Sequence, residues 1–233
     1  MKIEIKGSII SNDDQWIYDY FDMEATSPKK INDLIAQAKP NEELDVEINS
    51  GGGSVFAGSE IYTALKSYKG NTIGRIPSIA ASAASVAAMG VKKLSISPTA
   101  QIMIHNVSSC AYGDYRDLQH EADVILNMNK SIANAYMLKT KIGQEELLEL
   151  MDNETWLNAQ QAKEKGFVDE IMFDEGNQLV ANFSNSQMLP AEVINKVKNE
   201  LIDKKNKEKL SQENKTNNEL ELAKARLSLR GNL

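Results

Sequence analysis

Residues 44–58 carry the pattern that most restricts the fold. Leu44, Val46 and Ile48 alternate with Asp45, Glu47 and Asn49, and the run ends in Gly51, Gly52 and Gly53. Alternation with period two reads as a strand with one buried face. Ile61, Ala64, Leu65 and Tyr68 then recur at helical spacing, so the chain passes from strand through a glycine turn into a helix. The same alternation continues on either side. Ile3 and Ile5, followed by Gly7, predict a first strand. Ser27 and Pro28 predict an N-cap and first helical residue for a helix reaching about Ala38. Further strands are expected at 71–76, 94–96, 102–104 and 168–172. Helices are expected at 80–89, which is small and apolar, at 115–138 and at 145–152. Asn158 with Gln161 makes a capping box, and Gly166 a helix stop. Strands alternating with helices predict an α/β domain with a largely parallel sheet.

The aromatic residues end at Phe183, which divides the chain into a domain at 1–183 and a tail at 184–233. Val193, Val197 and Leu201 lie four apart, with Ile194 beside them, on a highly charged segment. SQENKTNN at 211–218 reads as a linker, and the last residues carry a second short helical pattern. A helical or partly disordered tail is expected, suited to partner or self-association or simply solvated.

Charge and composition exclude several classes. The net charge is −7, and residues from 190 onward hold 10 Lys or Arg against 7 Asp or Glu, which leaves residues 1–189 at −10. A body this acidic argues against nucleic acid as a partner. Cys110 is the single cysteine, so no intrachain disulfide can form and a reducing compartment fits. The start, MKIEIKGSII, has no signal-peptide pattern. No window approaches the roughly 18 to 20 apolar residues of a membrane span. A cytoplasmic protein without membrane attachment is expected.

The glycine turn invites a nucleotide-loop reading that fails on chemistry. Gly53 and Gly58 fit GxxxxG, but Ser59 and Glu60 follow where a phosphate-binding loop needs lysine. The turn is either a tight bend needing positive φ or a set of backbone N–H groups aimed at developing negative charge. His105 and Cys110 lack further ligands at zinc spacing, so no metal or cofactor is expected.

Two histidines are present. His120 lies in the polar run DLQHEAD and reads as a surface residue, whereas His105 follows the apolar run at 102–104, at a strand end where α/β sheets place functional groups. Ser82 sits in PSIAASAAS, between a strand and a small-residue helix. Serine there is either a helix cap or a nucleophile exposed on a sharp turn. Ser85, one turn further on, is the rival serine and is expected to pack or to bond the backbone.

Taken together, INSGGGSVFAG (48–58), SIAASAASVAAMG (78–90), IMIHN (102–106) and ETWLNAQQAKEKGFVDEI (154–171) resemble the Clp protease proteolytic subunit family, the ClpP-type serine peptidases. The four segments occur in the family's order, and the likeness spans about residues 3–173. It implies a ClpP/crotonase-like ββα-repeat spiral. Position by position it assigns Ser82 as nucleophile and His105 as general base, with Gly53 and Ala83 as oxyanion-hole amides. Glu154 stands where the family has aspartate, and Asp152 is the alternative acid.

The resemblance further implies peptide-bond hydrolysis inside homo-oligomeric, heptameric rings, with the 115–138 helix joining rings and any ATPase unfoldase a separate protein. The doubled AAS at 80–85, the ETW triplet and the tail look like the phage-encoded branch, which includes prohead maturation proteases acting on capsid or scaffold proteins. A housekeeping-type Clp subunit is the alternative. A crotonase-like acyl-CoA enzyme and a non-catalytic ring subunit are the readings from other classes.

Overall fold

The computed structural model describes residues 1–174. The expected boundary at 183 and the tail at 184–233 lie outside the described residues.

The chain opens with β1 (Lys2–Ile9), a short helix α1 (Gln15–Tyr20) and β2 (Ala25–Thr26). Helix α2 (Pro28–Gln37) starts as the sequence predicts: the Ser27 hydroxyl accepts from Lys30 N, and Pro28 occupies the first turn, where its missing N–H costs no bond. Next come β3 (Leu44–Gly53), α3 (Val55–Ser67), β4 (Thr72–Ile76), β5 (Ile79–Ala81) and α4 (Ala83–Ala88). The chain continues through β6 (Lys93–Ile96), β7 (Gln101–Ile104), α5 (Tyr115–Thr140), α6 (Gln144–Asp152), β8 (Thr155–Asn158), α7 (Ala159–Glu164) and β9 (Glu170–Ile171). The capping box at Asn158 and Gln161 forms, with each side chain accepting from the other residue's backbone.

The strands join into one sheet, parallel at every described pairing except β7 with β8. β3 is its spine. β1 runs along one side of β3, and β4 pairs with its first half at residues 44–47. Farther along, β3 parts from β4 and meets β5 through the single pair Ser50 and Ala80. β5 then pairs with β7, and β7 with β8.

The alternation in β3 does what it predicts: Leu44, Val46 and Ile48 are wholly buried. They pack in one core with Ile3 and Ile5 of β1, Ile61 and Leu65 of α3, and Tyr136 and Phe167. Every residue of α4 is buried. Its alanines and Ser85 present so little side chain that neighbouring backbone can close around them.

Three expectations change. The strand does not end before the glycines but continues through Gly53, because these residues still pair with β1. The small-residue segment 80–89 is not one helix. Ala80 and Ala81 pair with β7, and Ala80 also with β3, and the helix begins only after Ser82. Alanine favours helix by intrinsic propensity, and here the tertiary pairing overrides it. The closing strand at 168–172 shrinks to Glu170–Ile171, paired with β6. Helix α1 and strands β2 and β8 have no counterpart among the expected elements.

Candidate active site

β5 and β7 are parallel neighbours, and the two candidate residues stand just beyond their ends. Ser82 follows Ala81, and His105 follows Ile104. Ser82 Oγ and His105 Nε2 are 2.8 Å apart, within hydrogen-bond distance. Residues 23 apart in sequence are thus brought side by side at the carboxyl ends of strands.

Ser82 holds φ 54°, ψ −126°, a conformation that costs a non-glycine residue about 1–3 kcal/mol. Its hydroxyl makes no cap bond to α4, so the N-cap reading of this serine does not apply and the oxygen is left to the imidazole. Ser85 is different. It is wholly buried, and its hydroxyl donates to the Ser82 carbonyl at 2.7 Å, the backbone bonding expected of it. His120 is exposed, as expected.

The glycine turn lies against this corner. Gly52 has φ +95°, and a Cβ there would come within 2.6 Å of Ala81 O and 2.7 Å of Ser82 Cβ. Gly53 has φ +145° and is pressed on the backbone of Ile9. Side chains are thus excluded where β3 passes the serine. Gly53, Ser82, Ala83 and His105 line one open cavity of about 300 Å³. Val86, Val107 and Ile132 supply apolar wall. Ala83 is the first residue of α4, so its N–H has no acceptor within the helix.

The two carboxylates are placed differently. Glu154 follows α6 and its C-cap Asn153, at φ 43°; its Oε1 accepts from Trp156 Nε1 at 3.3 Å. Asp152 Oδ1 accepts from Asn106 Nδ2 at 2.6 Å. Among the described residues neither carboxylate hydrogen-bonds His105. The structure therefore joins serine to histidine, while each carboxylate bonds elsewhere.

Tyr136 was not singled out in the sequence. It lines the same cavity, its hydroxyl 2.7 Å from Ser85 Oγ. Burial raises its phenol above the usual tyrosine range, with the Ser85 hydrogen bond opposing. Its place near the end of the 115–138 pattern carries no signal beyond helix periodicity. Among the described residues no group of three or more His, Cys, Asp or Glu is placed to hold a metal ion. No described helix is long and apolar enough to cross a membrane. Cys110 is free and exposed.

A mostly parallel α/β sheet with a serine and an imidazole in contact past its strand ends is the frame of a serine-hydrolase type of site. A Clp protease family model matches residues 23–175, and the chain belongs to the Clp protease family of serine peptidases. It is 28% identical over 142 residues to the ATP-dependent Clp protease proteolytic subunit of Deinococcus radiodurans, covering 60% of this chain and 69% of that protein. It is 31% identical over 135 residues to the subunit of the same name from Bacteroides fragilis, covering 57% and 65%. It is 30% identical over 156 residues to proteolytic subunit 2 of Tropheryma whipplei, covering 64% and 87%. A solved ClpP1 point mutant from Listeria monocytogenes superposes with a TM-score of 0.60 at 24% identity, over 75% of this chain and 92% of that one; this likeness concerns the fold. All three relatives are named as Clp proteolytic subunits, and the expected phage prohead-protease branch finds no support among them.

Proposed function

We propose that this chain is the proteolytic subunit of a Clp-type protease and hydrolyses peptide bonds by acyl transfer. The observation that carries the reading is the 2.8 Å approach of Ser82 Oγ to His105 Nε2, made by a serine whose hydroxyl is not used as a cap. His105 takes the Ser82 proton as the oxygen attacks a peptide carbonyl. The N–H groups of Gly53 and Ala83 stabilise the oxyanion. His105 returns the proton to the leaving amine, and water then releases the acyl group from Ser82. Glu154, or Asp152, orients the imidazole and stabilises its charged form. The apolar wall of Val86, Val107 and Ile132 suits an apolar substrate side chain next to the scissile bond.

The partners follow from the same reading. The relatives are named ATP-dependent, while the turn at Gly53 and Gly58 lacks a phosphate-binding lysine. A separate ATPase unfoldase is therefore the proposed partner, with the chain assembled as homo-oligomeric, heptameric rings. This housekeeping-type role takes precedence over head maturation because the relatives' names favour it.

A fluorophosphonate probe tests the reading. Wild type and Ser85→Ala should label, Ser82→Ala should not, and hydrolysis of a fluorogenic peptide should follow the labelling. Sizing of the assembly checks the ring. Labelling that survives Ser82→Ala overturns the assignment.

A further inference from the structure

The Ser82 carbonyl accepts from three donors, one of them a side-chain hydroxyl. It accepts from Ser85 N at 2.9 Å, from Val86 N at 3.3 Å and from the Ser85 hydroxyl at 2.7 Å. Ser85 Oγ in turn lies 2.7 Å from Tyr136 Oη. Direction follows from proton count. A serine hydroxyl has one proton, and Ser85 gives it to the Ser82 carbonyl, so the Tyr136 phenol must be the donor to Ser85 Oγ. The chain therefore runs one way, from the Tyr136 O–H to the Ser85 O–H to the Ser82 C=O. Both side chains are buried, with exposures of 0% and 1%. The tyrosine ring is seated against Phe167, centroids 5.7 Å apart.

The Ser82 C=O and the Ala83 N–H are two ends of one peptide unit. That unit is planar and trans, so carbonyl and N–H point in opposite directions. Fixing the carbonyl on the buried side fixes the direction of the N–H on the other. The fix matters because Ser82 sits outside the ordinary backbone basins at φ 54°, ψ −126°, and it is ψ that sets how this peptide unit is turned. A hydrogen bond accepted at the carbonyl also polarises the N–H and strengthens it as a donor.

We propose that Tyr136 and Ser85 are positioning residues that lock the Ser82–Ala83 peptide with its N–H turned toward the oxyanion. This inference rests on the peptidase reading above. Neither residue touches the substrate. Their effect is confined to a donor whose value is realised when the carbonyl oxygen becomes negative. Removing an oxyanion donor outright costs about 10²–10³ in rate. Loosening its aim should cost about tenfold, with ground-state binding unchanged.

The test uses the full chain as wild type, Tyr136→Phe, Ser85→Ala, the double variant and Ser82→Ala. Tyr136→Phe keeps the ring and its packing, and Ser85→Ala adds no volume, so either variant can carry the test. Thermal melts check that the variants remain folded. The readouts are the second-order fluorophosphonate labelling rate, kcat and KM for a fluorogenic peptide, and affinity for a peptide boronate compared with the matching product peptide. Each single variant should lose about tenfold in labelling rate, kcat and boronate affinity, with KM and product affinity within about twofold. The double variant should lose no more than the worse single one, because the two hydroxyls act in series. Singles that label within twofold of wild type overturn the inference. So does an equal loss of boronate and product affinity, or losses that multiply in the double variant. If wild type labels no better than Ser82→Ala, the peptidase reading falls and this inference with it. If wild type labels and Tyr136→Phe labels equally fast, this inference alone falls.

Discussion

Ile104 stands across from Thr155 in the antiparallel pair of β7 and β8, so the next residue along each strand, His105 on one and Glu154 on the other, falls at the same end of the ladder. Asp152 lies two residues farther back and is bound to the Asn106 amide. The backbone thus favours Glu154 as the group nearest the imidazole, although its carboxylate bonds the Trp156 indole. Glu154→Gln should lower kcat/KM by about 10- to 100-fold, less than the ~10⁴ lost when a fully engaged triad acid is neutralised. Asp152→Asn should cost less than Glu154→Gln. Peptide hydrolysis by the two variants, side by side, checks the order, and the reverse order transfers the role to Asp152.

Gly52→Ala should damage both stability and labelling. The new methyl group would meet Ala81 O at 2.6 Å and Ser82 Cβ at 2.7 Å, at φ +95°. The strained backbone alone is expected to cost about 1–3 kcal/mol. The readouts are urea unfolding and fluorophosphonate rate. A variant with wild-type stability and wild-type labelling would mean that β3 can move away from the serine at no cost.

Asp169 ties the last described segment to the body of the domain. Its Oδ2 accepts from Leu94 N and from Lys139 Nζ, both at 2.6 Å. Asp169→Ala leaves a β6 amide and a largely buried ammonium without that acceptor, which should destabilise the fold by about 1–3 kcal/mol. Chemical denaturation measures it. The Ser82 labelling rate should stay near wild type, since Asp169 has no contact with the site.

Acid sensitivity has one identifiable source on β1. Hydrogen bonds from Lys2 and Lys6 hold the Glu4 carboxyl at about 2, well below its ordinary value of 4.5. A depressed carboxyl contributes stability in full above its ordinary value and loses it as pH falls through the folded one. The window is therefore from 4.5 down to about 2. Glu4→Gln should flatten the stability–pH curve in that window, with stability slightly below wild type at pH 5 and above and equal to it at the acid end. The effect is small because the cluster is solvent-exposed. Unfolding midpoints at pH 5 and pH 3 for both proteins check it.

Legibility in the sequence followed the physics of each segment. β3, α2 and the capping box at Asn158 were readable because periodicity or cap chemistry is local. The break at Ser82 was not, because Ala80 and Ala81 favour helix by propensity and only their pairing with β7, and that of Ala80 with β3, makes them a strand. β8 was hidden because Thr155 to Asn158 shows no alternation; its strand character comes from lying along β7. Ser82 and His105 were readable as residue types at strand ends and through family likeness. Tyr136 was not, since a tyrosine on a long helix looks like any other core residue until its hydroxyl is seen beside Ser85.

The fork in β3 has a mechanical consequence. Gly53 belongs to the leaf that includes β1, whereas Ser82 and His105 ride on β5 and β7 in the other leaf. The leaves are stitched along the ladder by the lone Ser50–Ala80 pair. Gly52 nonetheless lies close against Ala81 and Ser82 across this fork, so near the serine the two leaves are held by backbone packing rather than by ladder bonds, and a bulkier residue at that seam would wedge them apart.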